Sequence, residues 1–179
     1  YRKEGFENGE QVDKFLFKSS VPDIYDSFYA DIYDYLVFNN LKNEYEVGEI
    51  INKTSATNQS VVLDIGSGTG HHVALLSAKG IDAIGMDISP SMVKQAKLNY
   101  PDYKFELGDV LDVSQFQPNT FTHITCLYFT IYYMQDKRAF FENCMKWLMP
   151  GGYFIVHVVN RELFDPILPP GNPLLLVSP

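Results

Sequence analysis

The spacing of apolar positions changes near residue 60. Before that point Ile24, Phe28, Ile32 and Leu36 recur every four residues, with Tyr25, Tyr29 and Tyr33 beside them. Asp23, Asp26, Asp31 and Asp34 fall on the other side. This pattern predicts an amphipathic helix with an aromatic flank and a solvated acidic face. Ser20-Val21-Pro22-Asp23 supplies its start: Ser as N-cap, Pro in the first turn, an acid three residues on. A second helix is expected over residues 43–53, with Tyr45, Val47, Ile50 and Ile51 inward. Residues 1–20 have no period and read as an arm.

After residue 60, short apolar runs alternate with helical stretches. Strands are expected over residues 61–65, 83–86, 104–107, 122–128 and 153–159. Helices are expected over 71–79, closed by Gly80, from Ser89-Pro90 to residue 99, and over 137–148, stopped by Pro150-Gly151-Gly152. Strands alternating with helices of this length make right-handed βαβ units and a doubly wound, mostly parallel sheet, an α/β fold. The expected organisation is an arm over 1–20, helices over 21–57, a Rossmann-like core over 58–160 and a proline-rich segment over 161–179.

Three features mark consecutive strand ends. Leu63-Asp64-Ile65-Gly66-Ser67-Gly68-Thr69-Gly70 joins a strand to a helix. Glycines there let the chain turn tightly and let a ligand approach the backbone, whose free N–H groups face it. Asp87 ends the second strand, where an acid can accept both hydroxyls of a ribose. Gly108-Asp109-Val110 ends the third, where an acid can accept from an adenine amino group. Glycine turns occur in several nucleotide-binding families, so each feature alone is weak. The three together define one ligand-binding edge.

These motifs, with Met86-Asp87-Ile88-Ser89-Pro90-Ser91-Met92 and Leu148-Met149-Pro150-Gly151-Gly152-Tyr153, resemble the class I S-adenosylmethionine-dependent methyltransferases over about residues 60–159. The resemblance implies S-adenosylmethionine as cofactor and S-adenosylhomocysteine as its product. It also implies a cofactor site made of Asp64, Gly66, Ser67, Gly68, Gly70, Asp87, Ile88, Met92, Asp109, Val110 and Leu127. The chain departs from the family at Phe121-Thr122, where Phe-Asp is common. The family's sheet has two further strands beside the fifth. The segment after the expected fifth strand is short and carries Pro166, Pro169, Pro170, Pro173 and Pro179, so it cannot supply them. The expectation is a fragment of a longer chain, with cover of the edge by Leu174–Val177 or a partner chain as the alternative.

The acceptor side is expected after strand four and on the first helix. Tyr33 and Tyr132 are the candidates for positioning the acceptor at the reaction centre. Tyr25, Tyr29, Tyr128, Tyr133, Asn160 and Arg161 are candidate substrate contacts. Core packing is the competing reading for each tyrosine, and surface placement for Asn160 and Arg161. The Tyr33-Asp34 helix is loosely similar to that of small-molecule N-methyltransferases. For His71 and His72 a pocket role and a capping or solvated role are both open. His123 and His157 read as satisfied strand residues.

Composition narrows the partners. Against 14 basic residues stand 22 acidic ones, a formal charge of −8. That disfavours nucleic acid or an anionic membrane as partner and favours a small-molecule acceptor, with nitrogen slightly preferred over oxygen. No apolar run reaches the roughly 18 residues of a membrane span. Two cysteines, Cys126 and Cys144, read as buried free thiols rather than a disulfide or metal site, which fits a cytoplasmic location. The competing functions are a cofactor-binding but inactive partner subunit and an NAD-dependent oxidoreductase. The latter wants G-x-G-x-x-G, whereas Gly66, Gly68 and Gly70 form G-x-G-x-G.

Overall fold

The computed structural model describes residues 24–160. Five strands, β1 (Val61–Ile65), β2 (Asp82–Asp87), β3 (Lys104–Leu107), β4 (Phe121–Cys126) and β5 (Leu148–Val156), form one parallel sheet of order β3-β2-β1-β4-β5. Among the described residues six helices accompany it: α1 (Ser27–Val37), α2 (Asn40–Thr54), α3 (His71–Ala78), α4 (Pro90–Asn99), α5 (Thr130–Tyr133) and α6 (Lys137–Trp147). The strand order reverses between β1 and β4, so the crevice of the switch point opens at the carboxyl end of β1.

Successive residues of β1 point to opposite faces, and both faces are covered. Val62 packs with Val47 of α2, Val73 and Leu76 of α3 and Ala96 of α4. Leu63 packs with Phe140, Cys144 and Trp147 of α6. Both cysteines are buried and free, and burial pushes each thiol up to about 12. Helix starts follow their caps: Ser89 accepts from Met92 N (3.2 Å) ahead of Pro90, and Asp136 accepts from Ala139 N (2.9 Å).

Four elements differ from the pattern-based expectation. In α1 the spacing-four series does not form the core face: Phe28 and Leu36 are each 61% exposed, Ala30 is buried, and Tyr29, Tyr33 and Val37 turn inward instead. Asp26 caps this helix through Tyr29 N; the expected start at Ser20 lies outside the described residues. In α2 Tyr45 is exposed, and Asn43 and Glu46 are buried beside Val47 and Ile50. β4 ends at Cys126 because Tyr128 turns into the left-handed region (φ 54) before α5. β5 begins at Leu148, so Pro150-Gly151-Gly152 lies inside an irregular strand rather than ending a helix. Pro150 is tolerated there because, among the described residues, β5 pairs on one side alone. The arm over 1–20, Arg161 and Leu174–Val177 lie outside the described residues. No described helix is long and apolar enough to cross a membrane.

Candidate active site

The glycine turn is fastened to the neighbouring strand by its own backbone. Gly66 N and Ser67 N both donate to Met86 O of β2, at 2.8 and 3.1 Å. Gly66, Gly68 and Gly70 all take positive φ, at 70, 54 and 94°. The glycines then serve different ends. A Cβ on Gly66 would overlap the Thr130 side chain, so the bare glycine lets the start of α5 pack closely against the turn at the cavity wall. A Cβ on Gly70 would lie 2.6 Å from Phe105 Cζ, inside the packing of α3 against β3 and α4. Gly70 thus allows close helix–sheet approach, and it lines neither cavity.

Gly68 N donates to Asp87 Oδ2 (2.9 Å), and Ser89 N donates to Asp87 Oδ1 (2.8 Å). Burial pushes this carboxyl up, and the two backbone donors oppose the shift. One strand over, Asp109 Oδ1 accepts from Leu111 N (2.9 Å). Val110 is buried beneath, its carbonyl held by Asn143 Nδ2 (2.9 Å). Asp87, Ile88, Met92, Asp109 and Val110 thus line one end of a cavity of about 620 Å³, within the usual size of a small-molecule site. A carboxylate at each of two adjacent strand ends, an apolar floor and a glycine cradle fit an adenosine-bearing cofactor. Asp64, Ser67 and Leu127 do not reach this space. They line a smaller cavity against α2 and α3, where buried Asp64 accepts from Thr125 Oγ1 (2.7 Å). Burial pushes the Asp64 carboxyl up.

Tyrosines form the other end. Tyr25, Tyr29, Tyr33, Tyr128 and Tyr133 all line the large cavity. Tyr25 packs edge-on against Tyr29 (5.3 Å between ring centres) and Tyr133 (6.0 Å). The Tyr33 ring sits over Gly68, 3.9 Å from where a Cβ would stand. Burial raises the Tyr25 and Tyr33 hydroxyls above the ordinary phenol value, which keeps both neutral. Tyr128 is clamped from several sides. Its N–H donates to His157 Nδ1 (3.1 Å), its hydroxyl donates to Asn43 Oδ1 (3.2 Å), and Lys42 Nζ lies 3.2 Å from the ring centre. A non-glycine residue at positive φ is strained and persists because its surroundings fix it.

Tyr132 is not in the cavity. It is 45% exposed, and its hydroxyl accepts from Val159 N (2.8 Å), so α5 turns it toward the end of β5 while Tyr133 faces inward. Asn160 is exposed and outside the cavity lining. None of the described histidines lines the large cavity. His72 pairs with buried Glu46 (2.8 Å), and His123 stacks on Tyr153 between Thr54 and Thr122, at the opposite edge of the sheet. Burial would raise the Glu46 carboxyl, but hydrogen bonds from His72 and Lys42 outweigh it and hold it below its usual value.

Pattern reasoning missed several residues of the site. Met134 and Gln135 line the cavity just beyond the stretch after β4 where the acceptor side is expected. Asp34 is no solvated acid: its carboxylate meets Thr69 Oγ1 (2.6 Å), His71 Nε2 (2.9 Å) and Asn99 Nδ2 (3.2 Å). Its place directly after the inward Tyr33 was the available signal.

The family model described as "Methyltransferase domain" matches residues 63–156, more than half of the chain. The chain belongs to the class I S-adenosylmethionine-dependent methyltransferases. The chain is 31% identical over 139 residues to a dTDP-4-amino-2,3,4,6-tetradeoxy-D-glucose N,N-dimethyltransferase of Saccharopolyspora spinosa, covering 74% of the chain and 55% of that relative. It is 28% identical over 129 residues to a ubiquinone biosynthesis O-methyltransferase of Idiomarina loihiensis, covering 68% and 51%. Its fold is shared with S-adenosylmethionine-bound CalS10, an amino pentose methyltransferase of Micromonospora echinaspora involved in calicheamicin biosynthesis. That match has TM-score 0.62 and 22% identity, over 79% of the chain and 60% of the other. The chain spans about half the length of these curated relatives. The oxidoreductase alternative is set aside by the family match.

Proposed function

We propose that this chain transfers a methyl group from S-adenosylmethionine to a small-molecule acceptor, with nitrogen favoured over oxygen. The observation that carries this reading is the two-ended cavity, with strand-end carboxylates at one end and neutral tyrosines at the other. When bound, S-adenosylmethionine supplies an activated methyl group on a sulfonium. Asp87 is suited to accept the ribose hydroxyls and Asp109 the adenine amino group. Gly66 and Gly68 leave the backbone bare for the remainder. The work left to the protein is to hold the acceptor lone pair in line and to exclude water, effects worth about 7–11 kcal/mol in favourable cases.

The preference for nitrogen has a chemical basis. A neutral amine attacks without help, whereas a hydroxyl needs a proton acceptor. Among the described residues the large cavity holds no histidine, and burial keeps Tyr25 and Tyr33 protonated. Its carboxylates, Asp87 and Asp109, belong to the cofactor end. The amino-sugar N,N-dimethyltransferase among the relatives points the same way, and the ubiquinone O-methyltransferase points to oxygen. Tyr25, Tyr29, Tyr33 and Tyr133 are the proposed acceptor contacts; Tyr33 takes the positioning role.

The test is turnover with S-adenosylmethionine and a panel of small primary amines, amino sugars and phenols, read as methylated product by mass. Methylation of amines is expected. Transfer to phenols alone overturns the nitrogen preference. Cofactor binding without transfer to any acceptor favours the inactive partner subunit.

A further inference from the structure

Helix α1 carries a wall of the cavity, yet it has little apolar attachment. Ala30 is its one fully buried residue, while Phe28 and Leu36 stand exposed. Its other inward residues, Tyr29, Ile32, Tyr33 and Val37, are only half-buried. The polar part of the attachment centres on Asp34. One carboxylate receives Thr69 Oγ1 of the glycine turn (2.6 Å) and Asn99 Nδ2 at the end of α4 (3.2 Å), and meets His71 Nε2 at the start of α3 (2.9 Å). Asn99 Nδ2 also donates to Thr69 O (3.3 Å), which ties the receiving elements to each other. The alignment is stepwise: Tyr33 lies over Gly68, and Asp34 bonds the next residue, Thr69.

We propose that Asp34 is a positioning residue that latches α1 to the glycine turn and so sets the tyrosine wall of the cavity against the bound cofactor. The inference rests on cofactor binding in this cavity. Asp34 lies outside the lining of the large cavity, and it acts through Tyr33 and Thr69. A charged acceptor shared by three donors makes the latch stronger than neutral bonds would. Because the same turn cradles the cofactor, releasing the latch frees one wall of the site while β1 and β2 stay in place.

The test uses the chain with Asp34→Ala and with the milder Thr69→Val, probed by S-adenosylhomocysteine. Backbone hydrogen exchange is read by mass in the unliganded protein, and ligand dissociation by stopped flow. Asp34→Ala is expected to speed exchange in 27–37 and to raise the dissociation rate at least tenfold, with exchange in 61–65 and 82–87 unchanged. Thr69→Val is expected to do the same to a smaller extent. The double variant should fall short of the product of the two effects, because both remove one bond. If Asp34→Ala does not fold, Thr69→Val carries the test. Faster exchange in α1 with an unchanged dissociation rate overturns the proposal and leaves Asp34 a structural residue. Unchanged exchange in α1 overturns it also. Failure of the unsubstituted chain to bind S-adenosylhomocysteine overturns both this inference and the proposed function, whereas binding with unchanged dissociation in both variants overturns this inference alone.

Discussion

The two walls of the cavity are made by opposite means. At the strand ends the ligand would meet backbone: Gly66 and Ser67 are fastened to Met86 O, and both oxygens of Asp87 are held by N–H groups of Gly68 and Ser89. Behind that wall lie Leu63, Ile65 and Met86, all essentially inaccessible. Across the cavity, α1 offers phenol rings on a helix held by side-chain bonds through Asp34. A site on a packed core keeps its geometry, while a site on a lightly docked element adjusts. The division suits an invariant cofactor on the rigid side and an acceptor on the adjustable side.

The sharpest way to break the comparison is to add a side chain to the rigid wall. Gly70→Ala combines a left-handed φ with a Cβ pressed against the Phe105 ring and Ala96. Backbone strain and overpacking each cost about 1–3 kcal/mol, so denaturant unfolding should show a loss of about 3 kcal/mol. Gly66→Val should instead abolish cofactor binding, because its side chain would push Thr130 and the start of α5 out of the cavity wall and strain a left-handed turn. A Gly66→Val chain that binds S-adenosylhomocysteine normally would contradict the role given to that turn.

Asp87→Asn separates binding from stability on the same wall. Burial raises the Asp87 carboxyl, so the folded state bears a cost for its charge at neutral pH. Removing the charge relieves that cost, but the amide NH2 must face Gly68 N or Ser89 N, so the unliganded melting temperature should change little. Cofactor affinity should fall about tenfold or more, since bonds to a charged acceptor contribute about 1.5–3 kcal/mol each.

These effects concern the half that was legible in the sequence. Glycines and acids at strand ends answer local demands of turn geometry and charge, so residues 63–70, Asp87 and 108–110 could be placed without knowing what packs on them. The face of α1 could not. Spacing-four Phe28 and Leu36 look like a core stripe, and only the tertiary partner, a cavity rather than an apolar core, turns Tyr29 and Tyr33 inward. The same holds for Tyr132 and Tyr133, adjacent residues whose roles are divided by the turn of α5. Asp34 was hidden because its partners lie 35 to 65 residues away. Pro150 misled for a different reason: it marks a helix end in most contexts, but an edge strand also accepts it.

On the adjustable wall, Tyr29→Phe and Tyr133→Phe should raise the acceptor KM about threefold to tenfold, as expected for a lost bond of about 1 kcal/mol, with S-adenosylhomocysteine affinity little changed. Equal changes in both constants would show that the two ends of the cavity are not independent.

The smallest expected effect is on pH. Burial lowers His123 and His157 below the ordinary 6.5. Between that value and their folded values the unfolded chain takes up protons that the fold refuses, so stability falls as pH drops. Glu46, held below 4.5, adds stability above that pH and loses it as pH falls further. Asp64 and Asp87, raised above 3.8, act with the opposite sign in their own window. His123→Gln, at the end of the sheet remote from the cavity, should flatten the first limb without changing cofactor affinity.

The central claim is that the strand-end wall binds the cofactor, and calorimetric titration of S-adenosylhomocysteine into the chain and its Asp87→Ala variant tests it most directly. The expected result is one-to-one binding to the unsubstituted chain and at least about tenfold weaker binding to the variant, titrated where both proteins are folded, since the variant also loses the bonds from Gly68 N and Ser89 N. Equal affinity in the two proteins, or no binding to either, would contradict the account.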